Sequence, residues 1–330
     1  MSASLLSALV RRQDYMTGDS CTFEICDIEN SYYGYRPTRS ANIAFAVIFG
    51  VSFLAYVVQA FTSRRFLGFS IAMALGTLCE LIGYIGRILM YDNPWAQRDV
   101  AHNPFMVQIC CLTIGPAFLA AGIYFCLSRI VTTFGRENSR IPAVWYPRIF
   151  IPCDILALAL QGAGGGLASS ADHGTSAADV GTNLMIAGVV WQVVILGVFI
   201  LLAMDFAIRT VLRMQSIGVE ALDPKHAMLR SSFAFRGFLT ALSLATLFIF
   251  TRCVYRIAEL SGGWDGPLLK DEPLFIGLEG VMVALAVLVL NAFHPGRCFG
   301  TETTTHGEEL KGHISQDGDS TQMELIGSRR

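Results

Sequence analysis

Charge is what this chain has least of. Asp, Glu, Lys and Arg supply 15% of its 330 residues, where soluble domains carry about 25%. With 53% hydrophobic residues there is too little polar surface to clothe a soluble globule, and the chain reads as a polytopic membrane protein. The formal net charge is −2, and no basic stretch is interleaved with aromatics, so a nucleic-acid partner is excluded. Nine cysteines are present, yet none forms a C-x-x-C pair, so no zinc ribbon or redox motif is offered.

Other chemistries are missing too. The histidines (His102, His173, His226, His294, His306 and His313) all fall in predicted loops, helix ends or the tail. An intramembrane metallohydrolase needs several ligands converging on one activated water, so no metal or other cofactor is expected. No Lys-Ser or Lys-Thr follows Gly162–Gly166, which rules out a phosphate loop and ATP-driven pumping. There is no G-x-S-x-G elbow, and the chain is expected not to be an enzyme. The apolar run Leu5–Val10 is too short for a secretory signal, and Arg11 and Arg12 follow it rather than precede it.

What is there is a series of long apolar runs. Ile71–Met90 is long enough to cross a bilayer, since about 20 residues at ~1.5 Å each span the ~30 Å hydrocarbon layer. It nevertheless carries Glu80 near its middle and Arg87 toward its end, with Glu80, Tyr84 and Arg87 on one helical face. A charge at that depth costs roughly 2.5–3.5 kcal/mol, so it faces protein or water. The pattern predicts an all-α bundle of seven transmembrane helices, at about 41–62, 67–90, 106–130, 149–167, 183–208, 235–256 and 274–293. Residues 1–40 form a polar leading tail, and 297–330 a polar tail expected to be disordered. Gly115-Pro116 predicts a kink in helix three. Trp145 and Tyr146 read as interfacial anchors. Gly162–Gly166 reads as a helix-packing surface or a helix end. Only Gly237–Thr251 is free of charge in helix six, which puts Arg252 at the outer edge of the layer.

Arg64, Arg65, Arg136, Arg140, Arg148, Arg209, Arg213, Lys225, Arg230 and Arg236 lie in the loops after helices one, three and five, whereas the alternate loops hold little beyond Arg98 and Lys270. The positive-inside rule then places the amino terminus outside and the carboxyl tail in the cytosol. Cys21 and Cys26 would face an oxidising compartment, either as two thiols or as a small disulfide loop. Cys298 reads as a free thiol or a palmitoylation site. No internal repeat is evident, so inverted-repeat transport logic gains no support.

The candidate site is the embedded ionisable set: Glu80, Arg87, Asp154, Arg252, Arg256, Glu259 and Glu279, with Tyr84 beside the first two. Arg256 and Glu259 are three apart and can pair. Glu80 and Arg87 are separated by about 10.5 Å along the axis, so each needs other partners. The set is either a network tying helices together or the lining of a polar cavity for an amphipath, in which acidic groups at mid-depth suit a cationic headgroup. A seven-helix receptor is the rival architecture. However, YFCLSRIVTTFG lacks the acidic-Arg-aromatic triplet of rhodopsin-like receptors, and VLNAFHPG lacks their Asn-Pro-x-x-Tyr.

Several stretches resemble one family. CTFEICDIENSYYGYRP and YYGYRPTRSANIAFAVIFG enter helix one, CELIGYIGR lies in helix two, RCVYRIAEL precedes a Gly-Gly at the end of helix six, and LNAFHPG closes helix seven. In order and spacing these resemble the fungal lipid-translocating exporters, or RTA-like proteins, over residues 21–296. The resemblance implies a seven-helix fungal protein, the family's associations being resistance to toxic amphipaths and drugs, release of sphingoid long-chain bases and, in some members, haem or sterol-analogue handling. It implies a plasma-membrane location, membrane lipids as partners and no catalytic residues. It leaves open whether such a protein moves lipid itself or acts as a receptor-like sensor that regulates lipid asymmetry. The motif positions are Glu80, Tyr84, Arg87, Tyr255, Arg256, Glu259, His294 and Pro295.

Overall fold

The first helix, α1 (Arg39–Thr62), is built inside out. Val47, Val51, Leu54, Val58 and Phe61 recur at helical spacing and are exposed, while Asn42, Ser52 and Gln59 are buried with Phe45, Phe49 and Tyr56. In water that arrangement would be unfavourable. In hydrocarbon it is the expected one, because lipid solvates the apolar stripe and the protein interior satisfies the polar groups. Gln59 donates to the Asn291 side chain at 2.8 Å, and the Tyr56 hydroxyl donates to the Val287 carbonyl at 2.9 Å.

The computed structural model describes residues 33–92, 94–95, 104–170, 175–218, 226–262, 266 and 268–299, together with 23, 27, 28 and 31. Cys21, Cys26 and the tail from 300 onward lie outside the described residues. Six further long helices follow α1: α2 (Leu67–Leu89), α3 (Pro104–Phe134), α4 (Trp145–Ser170), α5 (Ser176–Ile217), α6 (Phe233–Ser261) and α7 (Glu272–Cys298). All seven are long and apolar enough to cross a membrane. The protein is an all-helical, multi-pass integral membrane protein. Neighbours in sequence are neighbours in space, α7 closes back on α1, and α3 runs through the middle to touch α5 and α6. The two ends of the bundle are called here the Arg39 end and the Thr62 end.

Some elements differ from the sequence expectation. Helix five, expected over 183–208, runs Ser176–Ile217. Its 42 residues make it roughly 60 Å long at ~1.5 Å each, about twice the hydrocarbon thickness. The charges that end its apolar run do not end the helix, because they find partners. Asp205 accepts from Arg140 and from Arg209 at 2.9 Å each, and Arg213 pairs with Glu137 at 2.7 Å. Gly218, at φ +80°, stops it. Helix six continues to Ser261, and α7 contains a π-helical turn over Phe275–Val281. Tyr146 is buried against Phe150 and Phe199 rather than anchored at the interface, and only Trp145 stays half exposed. Cys298 is a free thiol at 3% exposure, shut off from acylation.

The Thr62 end is locked by the His-Pro-Gly stretch. The Gly296 N–H donates to His294 Nδ1 at 3.1 Å, which leaves Nε2 to carry the proton toward Ser70 Oγ at 3.1 Å. His294 is fully buried, so its role is to tie the start of α2 to the end of α7. We expect His294→Ala to cost about 1–3 kcal/mol by orphaning the Gly296 N–H and cutting the tie to Ser70, which keeps only its bond to the Phe66 carbonyl. A detergent thermal melt measures this, and an unchanged midpoint would refute it.

Candidate functional site

Pro116 sits inside α3 and has no N–H to give, so the carbonyl four residues earlier, that of Leu112, loses its helical donor. Arg252 of α6 supplies the missing donor, with its guanidinium nitrogen 2.5 Å from the Leu112 oxygen. The same nitrogen holds Glu279 Oε1 at 2.5 Å. Arg252 is 2% exposed, so it is turned into the bundle, between α3 and α7. The π-helical turn of α7 carries Glu279 within it, consistent with the tendency of such turns to occur at functional positions.

Glu80 lies beside this pair, within electrostatic reach of Arg252 and Glu279, at 1% exposure. It enters because Gly115 faces it: a Cβ there would stand 2.6 Å from Glu80 Oε1. Tyr84 completes the group, its ring stacked on Phe49 at 5.5 Å and packed against Phe45 at 5.0 Å. Glu80 Oε1, Glu279 Oε2 and the Tyr84 hydroxyl are all buried without a hydrogen-bond partner.

One layer toward the Arg39 end, Arg256 donates to Glu259 at 2.6 Å along α6. Arg87 donates to the Tyr35 hydroxyl at 2.6 Å, lies 3.9 Å from Glu272, and has the Phe275 and Tyr33 rings at 3.9 and 4.8 Å. Above them the segment before α1 folds over the mouth. Gly34 makes that turn at φ +69°, with the Lys270 stem packed on it. Tyr33 donates to Gln108, and Glu272 accepts from the Thr38 N–H and hydroxyl at 2.6 and 2.8 Å. Burial raises both the Tyr33 and Tyr35 phenols above their ordinary value, against the lowering effect of Arg87, so the cap stays neutral at physiological pH. Beneath it lies a cavity of ≈ 20 Å³ lined by Arg87, Arg256, Glu259, Tyr33, Gln108 and Phe275 among others. That holds a water, which needs roughly 10–15 Å³, and not a lipid.

Asp154 is set apart from the rest of the expected set. It sits on α4 at 4% exposure and faces Tyr124 of α3. The Tyr124 hydroxyl stands beside the Asp154 carboxyl and is placed to donate to it, though no hydrogen bond of regular geometry is closed by either group, and the phenol oxygen remains free to accept. Among the described residues the three buried arginines each have one glutamate: Arg252 with Glu279, Arg256 with Glu259, Arg87 with Glu272. Glu80 and Asp154 are left over, with no cation at ion-pair distance among the described residues. Sequence reasoning missed Tyr33, Tyr35, Gln108, Glu272 and Tyr124. No sequence signal pointed to these five; Pro116, whose freed carbonyl requires a donor from another helix, could have pointed only to the partner of Arg252.

A family model described as RTA1 like protein matches residues 73–302. A sphingoid long-chain base transporter of Saccharomyces cerevisiae, RSB1, is 33% identical over 300 residues, covering 84% of this chain and 76% of its own length. Protein RTM1 of the same yeast is 27% identical over 311 residues, 83% of this chain and 93% of its own. Protoporphyrin uptake protein 1 is 25% identical over 302 residues, 81% of this chain and 92% of its own. No solved structure matches the chain.

Proposed function

The chain belongs to the RTA1-like family, and from that premise we propose that it is a translocator or exporter of amphipaths with a cationic headgroup, such as sphingoid long-chain bases. In this reading it performs no catalytic step and uses no ATP. It works at the plasma membrane, with the Arg39 end and its tyrosine cap outside and the basic loops of the Thr62 end in the cytosol.

The observation that carries the reading is the charge balance at Glu80. Its carboxyl is buried beside an arginine already held by Glu279 and Leu112, and its Oε1 has no partner. A buried carboxylate without a counter-charge is costly. A monocationic headgroup would supply that charge, and the unpartnered oxygens of Glu80, Tyr84 and Glu279 match the three N–H donors of a primary ammonium. The similarity to a relative named as a long-chain base transporter supports the same chemistry. With only ≈ 20 Å³ open beneath the cap, this conformation is occluded, and loading requires the helices or the cap to part.

The purified protein in liposomes should accelerate transbilayer movement of a fluorescent sphingoid base. Glu80→Gln should cut that acceleration roughly tenfold or more, the worth of a charge-assisted hydrogen bond, while Asp205→Asn on the surface leaves it intact. Wild-type rates equal to those of empty vesicles would sink direct transport.

A further inference from the structure

The second leftover carboxyl repeats the chemistry of the first. At Glu80 the unpartnered buried oxygens are Glu80 Oε1, Glu279 Oε2 and the Tyr84 hydroxyl; at Asp154 they are Asp154 Oδ1, Oδ2 and the Tyr124 hydroxyl. Each group therefore presents three oxygens able to accept, two of them from carboxyls, beside a tyrosine held in an aromatic cluster; the Tyr124 O–H faces the Asp154 carboxyl and its oxygen still accepts. Around Tyr124 that cluster is Phe199 at 4.6 Å and Phe150 at 5.3 Å. Rings so placed favour a cation by their faces and an alkyl chain by their area.

The two groups stand at different depths. Tyr124 follows Gly115 by nine residues on α3, so the Asp154 group lies roughly 13 Å nearer the Thr62 end. Between them α6 turns Arg252 toward Glu279 and sets Cys253 within reach of Asp154. The intervening α3 residues Leu119 and Ala120 are buried in the apolar core.

We propose that Asp154 and Tyr124 form a second binding station for a primary ammonium headgroup, one step nearer the Thr62 end than Glu80, so that an amphipath is held at two successive depths across the bundle. The identity of the headgroup rests on the reading above; the existence of the second station rests on the Asp154 group itself. Three oxygens are too few for a hard divalent cation, which takes about six, but they equal the donors of R–NH₃⁺.

The test is saturation binding of a tritiated long-chain primary alkylamine to the full chain in nanodiscs, with the long-chain alcohol as the uncharged control. Two amines should bind per wild-type chain, one per Asp154→Asn chain and one per Glu80→Gln chain. Tyr124→Phe should keep both, one of them about tenfold weaker. An Asp154→Asn protein that is monodisperse and still binds two overturns the proposal. If Asp154→Asn does not fold, Tyr124→Phe decides, and unchanged affinities overturn it. A wild type that binds one amine, lost in Glu80→Gln, overturns the second station and leaves the first standing. Loss of one amine in Asp154→Asn with no change in Glu80→Gln does the reverse. Equal binding of the alcohol overturns both.

Discussion

Arg252→Met should be the most damaging side-chain truncation in the bundle, costing roughly 3–5 kcal/mol. The guanidinium has two obligations that nothing else can meet. It completes the Leu112 carbonyl that Pro116 leaves without a donor, and it neutralises Glu279 at 2.5 Å. Removing it leaves a buried carboxylate beside a second one, Glu80, with the residual positive charge one turn away on Arg256. Methionine fills the volume, so the loss measures electrostatics and hydrogen bonding more than a cavity. Pairing it with Glu279→Leu should recover most of the stability, because replacing a buried pair by apolar residues is often neutral or better. Reversible unfolding in mixed micelles reads both effects. A single variant as stable as wild type would show that the pair contributes nothing. A double variant as unstable as the single one would place the cost on the Leu112 carbonyl instead.

That pair also shows how far the sequence could be read. Seven crossings, and the fact that Glu80, Arg252 and Glu279 hide from lipid, follow from hydropathy and the cost of a bare charge in hydrocarbon. The pairing does not. The short charge-free run of helix six pointed only to a charge near its end; that Arg252 turns inward, where a proline on another helix creates its acceptor, needed the packing of α6 on α3. Arg256 and Glu259 were legible as an i,i+3 pair because one helix fixes their geometry. Arg87 with Tyr35 and Glu272 was not, since its partners come from segments 52 residues before it and far along the chain. Asp154 looked like one more member of a single set. Only the packing of α3 against α4 separates it and gives it Tyr124. Helix ends were misjudged where charges find partners along or beside the helix, as at Asp205 and Arg209.

Gly164→Val should abolish the folded state, and Gly162→Val, two residues away in the same glycine run, should be nearly silent. A Cβ on Gly164 would stand 2.5 Å from the Met185 backbone nitrogen and 2.6 Å from the Gly181 carbonyl oxygen. These are backbone atoms of α5 and cannot rotate aside as a side chain would. The contact is reciprocal, since a Cβ on Gly181 would meet the Ala168 nitrogen at 2.5 Å and the Gly164 oxygen at 2.8 Å. Helices that approach this closely in a membrane associate through backbone contact and dispersion, with no hydrophobic drive to restore them once parted. Valine must therefore push α4 from α5 along the whole hairpin, which carries Asp154 away from α3 as well. At Gly162 a Cβ meets nothing within 4 Å, so the added side chain points into open space, and valine's helix propensity, slightly better than glycine's, changes stability by only a few tenths of a kcal/mol. Folded yield by size-exclusion profile separates the two. Equal yields would mean that the glycine run is a flexible helix end and not a packing surface.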